Sequence, residues 1–212
     1  MSAARSQTAS AGPHRWSYRV YLVSERATRS LGRRFEVRSP KNELVATCKT
    51  KRSDPHLVFF ADDGEKQELF RLDPTTVRLF DRAYDVIDGL SGRPFAQIRK
   101  KMYKPLDKTE WFLYNVDNEL IGMVTETAPQ SGFLRRILPV DRFLPKAWAL
   151  HWGQSICGII QPRLGVVGEK LEINLSLDKK QEVDRRLAIA VAVALRAEGR
   201  QHQNGESTKS TT

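Results

Sequence analysis

Cysteine is scarce in this chain, which has only Cys48 and Cys157 among 212 residues. The two lie in different predicted strands, and neither has a neighbouring cysteine or histidine at a metal-ligand spacing. A disulfide framework and a structural zinc site are therefore excluded, and we predict two buried free thiols. We also predict no metal ion and no cofactor.

Long hydrophobic runs are lacking as well. The longest spans nine residues, 187–195, whereas a bilayer crossing by a helix needs ~20. No transmembrane segment is expected, and the N-terminal region has no apolar core of the kind found in secretory signals. The same region has no acidic residue before Glu25, as in organelle transit peptides, but it shows no amphipathic pattern. We therefore expect a cytoplasmic protein.

Catalytic motifs are missing, each for a geometrical reason. Ser155 lies in G-x-S-x-x-G, which is one residue too long for a nucleophile elbow. Ile159 stands where a phosphate-binding loop requires lysine. The histidines are widely separated: His14, His56, His151 and His202. The sequence predicts a protein that is not an enzyme.

Short segments rich in Val, Ile, Phe, Tyr and Trp occupy most of the chain, and polar turns such as Asp62-Asp63-Gly64 and Asp117-Asn118 separate them. This pattern predicts antiparallel strands joined by hairpins. The predicted strands are 18–23, 34–39, 44–50, 56–61, 67–72, 76–81, 83–88, 95–102, 110–116, 120–126, 147–152, 155–161 and 170–176.

One segment near the C-terminus is different, because its large apolar residues alternate with alanine, which is depleted in strands. The large residues are Leu187, Ile189, Val191, Val193 and Leu195. On a helix they project in nearly all directions, so that no polar face remains. Asp178 and Gln181 match a capping box, and Gly199 suits a C-cap, so we predict a helix over 178–198 that is enclosed by protein.

Many antiparallel strands and one enclosed helix together predict a closed barrel, because closure removes the sheet edges and leaves an interior to be filled. The predicted fold is mainly β, a closed antiparallel β-barrel of about twelve strands around a buried hydrophobic C-terminal α-helix. We expect one domain over 16–201, with disordered tails at 1–15 and 202–212, which are rich in Ser, Thr, Ala, Gln and Gly.

Three segments carry a family resemblance: YDVIDGLSGRPFAQIRKK, EWFLYNVDNELIGMVTE and DRRLAIAVAVALRAEGRQ. They resemble the tubby C-terminal-like superfamily, and within it the LURP-one-related and phospholipid-scramblase-like domains. The resemblance implies a twelve-strand barrel around a hydrophobic helix, and tubby-type proteins imply binding of phosphoinositide head groups. The cysteine cluster and the additional membrane segment of animal scramblases are lacking, so lipid scrambling is not expected. No catalytic residues follow from the resemblance.

Basic charge is abundant, with a formal net charge of +10. Segment 93–108 is rich in cations, and on charge alone we choose Arg99, Lys100, Lys101 and Lys104 as candidates for lipid binding. The chain up to residue 38 also has eight basic and two acidic residues.

A second segment, 131–146, mixes cations with apolar residues, as membrane-surface segments do. Arg135 and Arg136 are candidates for head-group binding, and Phe133 and Leu134 for apolar membrane contact. The alternative is that this segment plugs one end of the barrel, with its arginines merely solvated.

The sequence thus predicts a non-enzymatic, peripheral phospholipid-binding module whose partners are anionic head groups. A soluble protein-interaction or stress-response scaffold is the alternative. Nucleic acid is not favoured, because zinc-finger spacing, a helix-turn-helix and an RNP sequence are all lacking.

Overall fold

The computed structural model describes residues 15–27, 32–51, 56–62, 64–103, 108–127, 147–165 and 168–206. Twelve strands precede one helix, α1 (Arg185–Glu206). The strands are β1 (Val20–Ala27), β2 (Gly32–Arg38), β3 (Leu44–Lys51), β4 (Leu57–Phe60), β5 (Glu68–Thr75), β6 (Arg82–Asp88), β7 (Pro94–Tyr103), β8 (Lys108–Tyr114), β9 (Leu120–Thr127), β10 (Ala147–Trp152), β11 (Ser155–Gly165) and β12 (Gly168–Asn174).

The strands form a closed antiparallel barrel in which each pairs with its neighbours in sequence. β1 closes the barrel on β12, with Val23 opposite Leu171. The predicted fold class is therefore confirmed. The predicted strand 76–81 is wrong: this segment is the turn between β5 and β6, and Leu79 adopts a left-handed φ of 73° that no strand accommodates.

The barrel interior is filled by alternate side chains of the strands, including stacked Phe59 and Phe70 rings whose centroids are 4.2 Å apart. Cys48 and Cys157 are buried free thiols, as predicted. Burial raises the pKa of both thiols, because it disfavours the thiolate.

Helix α1 lies inside this barrel. Leu187, Ile189, Val191 and Val193 are each at most 2% exposed, and Leu195 is partly buried against the same core. The predicted enclosure of these side chains is therefore confirmed, since the residues between them are also buried.

The helix boundaries differ from the predicted 178–198. Gln181 has a left-handed φ of 57°, which interrupts any helix that begins at 178. Asp184 is the N-cap instead, since its carboxylate accepts a hydrogen bond from the Arg186 backbone at 2.9 Å. The helix also continues through Gly199 to Glu206, because an interior glycine costs only about 1 kcal/mol.

The barrel has two distinct ends. At the hairpin end, β12 finishes and α1 begins, and the Arg186 guanidinium bonds Asp88 at the end of β6. At the opposite, helix-exit end, the Arg33 guanidinium donates a hydrogen bond to the Ala197 carbonyl oxygen at 2.6 Å. The helix therefore runs through the barrel from the hairpin end to the helix-exit end.

Candidate anion-binding surface

The two ends of the barrel differ in charge. Each end is defined by the three terminal residues of every strand that reaches it. At the helix-exit end these positions hold twice as many cations as carboxylates. Among the side chains that the structure describes, the cations are Arg26, Arg33, Arg34, Lys49, Arg82, Lys101, Arg163 and Lys170, and the carboxylates are Glu25, Asp73, Glu110 and Glu126.

The hairpin end has the opposite balance. Its equivalent strand positions hold one cation, Arg38, and the carboxylates Glu36, Glu68, Asp88 and Glu172. The charge of the strand ends therefore differs along the barrel axis, and it is positive at the end where α1 emerges. An anionic partner is attracted to that end.

Part of this charge forms a continuous row on the outer face. Arg26 lies directly opposite Arg34, which in turn lies opposite Lys49 on the next strand. Like charges directly opposite each other destabilise a sheet. Glu36 offsets some of the repulsion through an ion pair with Arg26 at 3.3 Å, and Glu65 pairs with Lys49.

Two further cations extend the row across β11 and β12. Lys170 lies opposite Ser24, two residues before Arg26 on the same face of β1, and it also lies opposite Arg163. The Arg163 guanidinium bonds Glu172 at 2.9 Å, yet its side chain is 62% exposed. We call Arg26, Arg34, Lys49, Lys170 and Arg163 the cation row.

A polar collar surrounds α1 where the helix leaves the barrel. Glu25 lies 3.7 Å from Arg33 and 4.0 Å from Arg196, measured between carboxylate oxygens and guanidinium nitrogens. Arg33 also donates a hydrogen bond to the Ala197 carbonyl oxygen of the helix. The collar thus fixes the helix at the positive end of the barrel.

Strand β7 separates the lipid-binding residues predicted from the run Arg99, Lys100 and Lys101. Arg99 and Lys101 face outward, whereas Lys100 lies on the inner face with Ile98 and is 7% exposed. Lys101 lies opposite Glu110 on β8. A run of adjacent cations in a strand therefore does not form one surface, because successive side chains alternate between faces.

Arg99 is engaged within the fold. Its guanidinium lies 3.9 Å from the Tyr114 ring centroid and 5.5 Å from that of Phe80, and it donates hydrogen bonds to Gln97 and Asn118. These contacts attach the β5–β6 turn to the outer face of β7 and β8. Arg99 therefore has a structural role here.

The other predicted contact residues lie outside the described residues: Lys104, Phe133, Leu134, Arg135 and Arg136. Their predicted roles stay predictions.

Leu79 is a candidate contact residue that the sequence did not indicate. It lies in the β5–β6 turn at the helix-exit end, beside exposed Arg78, and is 80% exposed. Its left-handed conformation is unusual for leucine, and such strained positions concentrate at functional sites. No local turn signal marks the segment TTVRLFD. The excess of cations before residue 38, in contrast, did signal part of the cation row.

A depression of about 310 Å³ lies at the hairpin end, between Trp16, Gln181 and the start of α1. Its main cation, Arg186, bonds Asp88 at 2.9 Å and Asp184 at 2.7 Å, and it stacks 3.9 Å from the Phe95 ring centroid. Because the two carboxylates neutralise the charge of this guanidinium, the depression does not attract anions.

Within the described ranges, no three His, Cys, Asp or Glu side chains converge as metal ligands would. In that part of the chain, no helix has both the length and the hydrophobicity needed to cross a bilayer. Comparisons with protein-family models, with curated proteins and with solved structures found no match. The resemblance to tubby-like domains thus rests on the sequence motifs alone.

Proposed function

We propose that this protein is a non-enzymatic module that binds peripherally to anionic phospholipid surfaces through the helix-exit end of its barrel. The observation that carries the proposal is the charge polarity of the strand ends. A flat anionic surface matches a ring of strand ends, because it contacts many of them at once.

The magnitudes are sufficient for reversible binding. Each cation near an anionic membrane surface contributes ~1 kcal/mol, reduced here where a carboxylate already pairs with it. Leu79 at the same end supplies an apolar contact, and fully burying such a side chain contributes about 1.5–3 kcal/mol. Charge and apolar contact together produce peripheral attachment.

The test replaces Arg26, Lys49 and Arg163 of the cation row with glutamine. The matched control replaces Lys41, Lys179 and Lys180, which are exposed at the hairpin end, so both variants lose the same charge. We expect the row variant to bind phosphatidylserine vesicles on the order of 10- to 100-fold more weakly, and the control to bind nearly as wild type. Vesicle sedimentation at low salt measures both.

Equal losses in the two variants would mean that net charge alone drives binding, with no preferred end. Folded wild-type protein that ignores anionic vesicles at low salt would overturn the proposal.

A protein-interaction scaffold is the second candidate. Large apolar side chains are exposed on neighbouring hairpin tips at the hairpin end: Leu90 is 95% exposed, Val116 63% and Leu120 53%. Exposed apolar side chains that lie close together mark interaction surfaces. This role needs no lipid and concerns the other end of the barrel.

A further inference from the structure

The turn between β5 and β6 places a large apolar side chain where the backbone disfavours one. A hydrogen bond of 3.2 Å from the Phe80 backbone N–H to the Val77 carbonyl oxygen closes a four-residue turn. Leu79 occupies the third position of this turn with a φ of 73°, where glycine or asparagine is usual. Its side chain is 80% exposed, so its own packing contributes little to this conformation. Neighbouring residues therefore hold the turn.

Phe80 attaches the turn to the wall of the barrel. Its ring packs edge-on against Phe112 and Tyr114 on the outer face of β8, with ring centroids 5.9 and 6.4 Å away. The backbone N–H of the residue after Phe80 donates a hydrogen bond to the Lys100 carbonyl oxygen on β7 at 2.9 Å. Both the side chain and the backbone on this side of the turn are thus fixed.

Arg99 packs against the same rings from the outer face of β7. Its guanidinium lies 5.5 Å from the Phe80 ring centroid and 3.9 Å from that of Tyr114. Hydrogen bonds to Gln97 and Asn118 fix the orientation of this guanidinium. A planar group that stacks and donates directed hydrogen bonds is not replaced by the ammonium of lysine. The support that Arg99 gives to the turn therefore depends on shape and not only on charge.

We infer that Phe80 and Arg99 are positioning residues that hold Leu79 as a preformed anchor for the apolar boundary of a bilayer. This role rests on the proposed function, because the turn lies at the helix-exit end. Binding costs less when the contacting side chain is already ordered. Insertion of the leucine then adds an attraction that salt does not screen. Arg99 thus contributes to membrane binding without contacting a head group, which is not the contact that its charge alone predicts.

The first experimental arm measures binding to phosphatidylserine vesicles at low and at high salt. We expect Leu79→Ser to weaken binding roughly 10- to 100-fold, because the buried apolar area is lost. Phe80→Ala and Arg99→Lys should weaken it on the order of 3- to 10-fold, by the same factor at both salt concentrations, because Leu79 must then be ordered on binding. Phe95→Ala is the matched control: it removes a comparable stack, on Arg186 at the hairpin end, and should bind as wild type.

A double-mutant cycle separates positioning from other effects. In a Leu79→Ser background, Phe80→Ala and Arg99→Lys should change the affinity by less than about twofold, because no anchor remains to be positioned. A loss in this background as large as in the wild type would overturn the inference. So would an Arg99→Lys variant that binds as wild type while Arg99→Gln binds more weakly at low salt only, since Arg99 would then act by its charge.

The second arm needs no membrane and follows amide hydrogen exchange of residues 80 and 81, whose backbone N–H groups are hydrogen-bonded. Exchange at these two amides should be faster in Phe80→Ala and in Arg99→Lys than in the wild type, and unchanged in Phe95→Ala. Circular dichroism establishes that each variant folds. Arg99→Lys is the milder substitution, so it keeps the test valid if Phe80→Ala unfolds the barrel.

The outcomes separate the two proposals. Wild type that binds vesicles, with Phe80→Ala and Arg99→Lys binding equally well, would refute positioning and retain docking, even if exchange in the turn is faster. Folded wild type that binds no vesicles would overturn the proposed function and the anchor with it. Equal losses in Phe95→Ala and Phe80→Ala would also overturn the inference, because only one of these rings supports the turn.

Discussion

The contact between Asp178 and Arg185 holds the polypeptide that leads into the helix. Both side chains are almost fully buried, and the Asp178 carboxylate lies 2.5 Å from the guanidinium. It also accepts hydrogen bonds from the backbone of Glu182 and Val183. Burial alone raises the pKa of Asp178, but the hydrogen bonds and the Arg185 charge outweigh it and hold that pKa below its usual value.

We expect Asp178→Asn to lower the free energy of unfolding by about 3–5 kcal/mol near neutral pH, because it leaves Arg185 as a buried charge without its counter-ion. Since the pKa of Asp178 is depressed in the folded state, the carboxylate stabilises the fold above its ordinary pKa. That contribution is lost as the pH falls through the depressed folded pKa. The difference between wild type and variant should therefore shrink in acid.

Urea denaturation at several pH values measures this difference. Glu182→Gln is the control, since its side chain is 54% exposed and its removal should change stability little. A variant Asp178→Asn as stable as the wild type at pH 7 would show that the ion pair does not secure the helix entrance.

The positions and contacts of individual side chains were the features that the sequence predicted least well. On charge alone, the run Arg99-Lys100-Lys101 predicts lipid-binding cations. Successive side chains of a strand alternate between faces, however, which places Lys100 in the interior, and Arg99 stacks on aromatic rings. The alternation of side chains between the two faces can be predicted as soon as β7 is recognised as a strand. The stacking depends on Phe80 and Tyr114, which only the folded chain brings to Arg99.

At the scale of elements, the barrel and helix α1 depend on each other. The helix has no polar face over its enclosed turns, and it packs there against the inward-facing side chains of the strands. Val191, which is 0% exposed, lies in the middle of this contact.

We expect Val191→Asp to prevent folding, because burying an unpaired carboxylate costs several kcal/mol against a total stability of about 5–15 kcal/mol. Circular dichroism and the loss of a cooperative thermal transition report the result. A soluble variant that melts cooperatively would contradict enclosure of the helix.

Removal of residues 202–212 should have little effect, shifting the melting temperature by no more than a few degrees. The enclosed residues 187–194 and the bond from Arg33 to Ala197 all precede the deletion. Calorimetry of the truncated chain measures the shift. A large drop would mean that the last turns of α1 contribute to stability.

The type and enclosure of the helix could be predicted because its pattern of large residues on all sides is local. The residue at which the helix begins could not be predicted. Asp178 and Gln181 match a capping box, but in the fold Asp178 binds Arg185, and Gln181 adopts a left-handed conformation. Because of these tertiary contacts, the helix begins at Arg185, and Asp184 is its N-cap.

At the scale of the whole molecule, the dominant feature is the separation of charge between the two ends. The barrel itself could be predicted, because many strands and an apolar helix leave few other arrangements. The charge separation could not be predicted from runs of cations in the sequence. The charged residues of the helix-exit end lie on ten different strands, and they come together only because the chain reverses direction at each hairpin.

Two introduced cysteines, one in each of two variants, test the orientation of the molecule on a membrane. Leu79→Cys and Leu90→Cys place exposed thiols at the helix-exit end and the hairpin end, respectively. The native thiols are buried and have raised pKa values, so a thiol reagent should modify the introduced cysteine selectively. With an environment-sensitive dye, we expect a blue shift on anionic vesicles at position 79 only. A shift at position 90 alone would reverse the proposed orientation.

The opposed charges of the strand ends also make the molecule a permanent electric dipole directed along the barrel axis. In the field of an anionic surface such a dipole experiences a torque, so the molecule turns its helix-exit end forward while it is still approaching. The rotational search that normally limits docking is thereby shortened before any contact forms. Because the field decays within a Debye length, of about 8 Å at physiological ionic strength, this alignment operates only during the final approach.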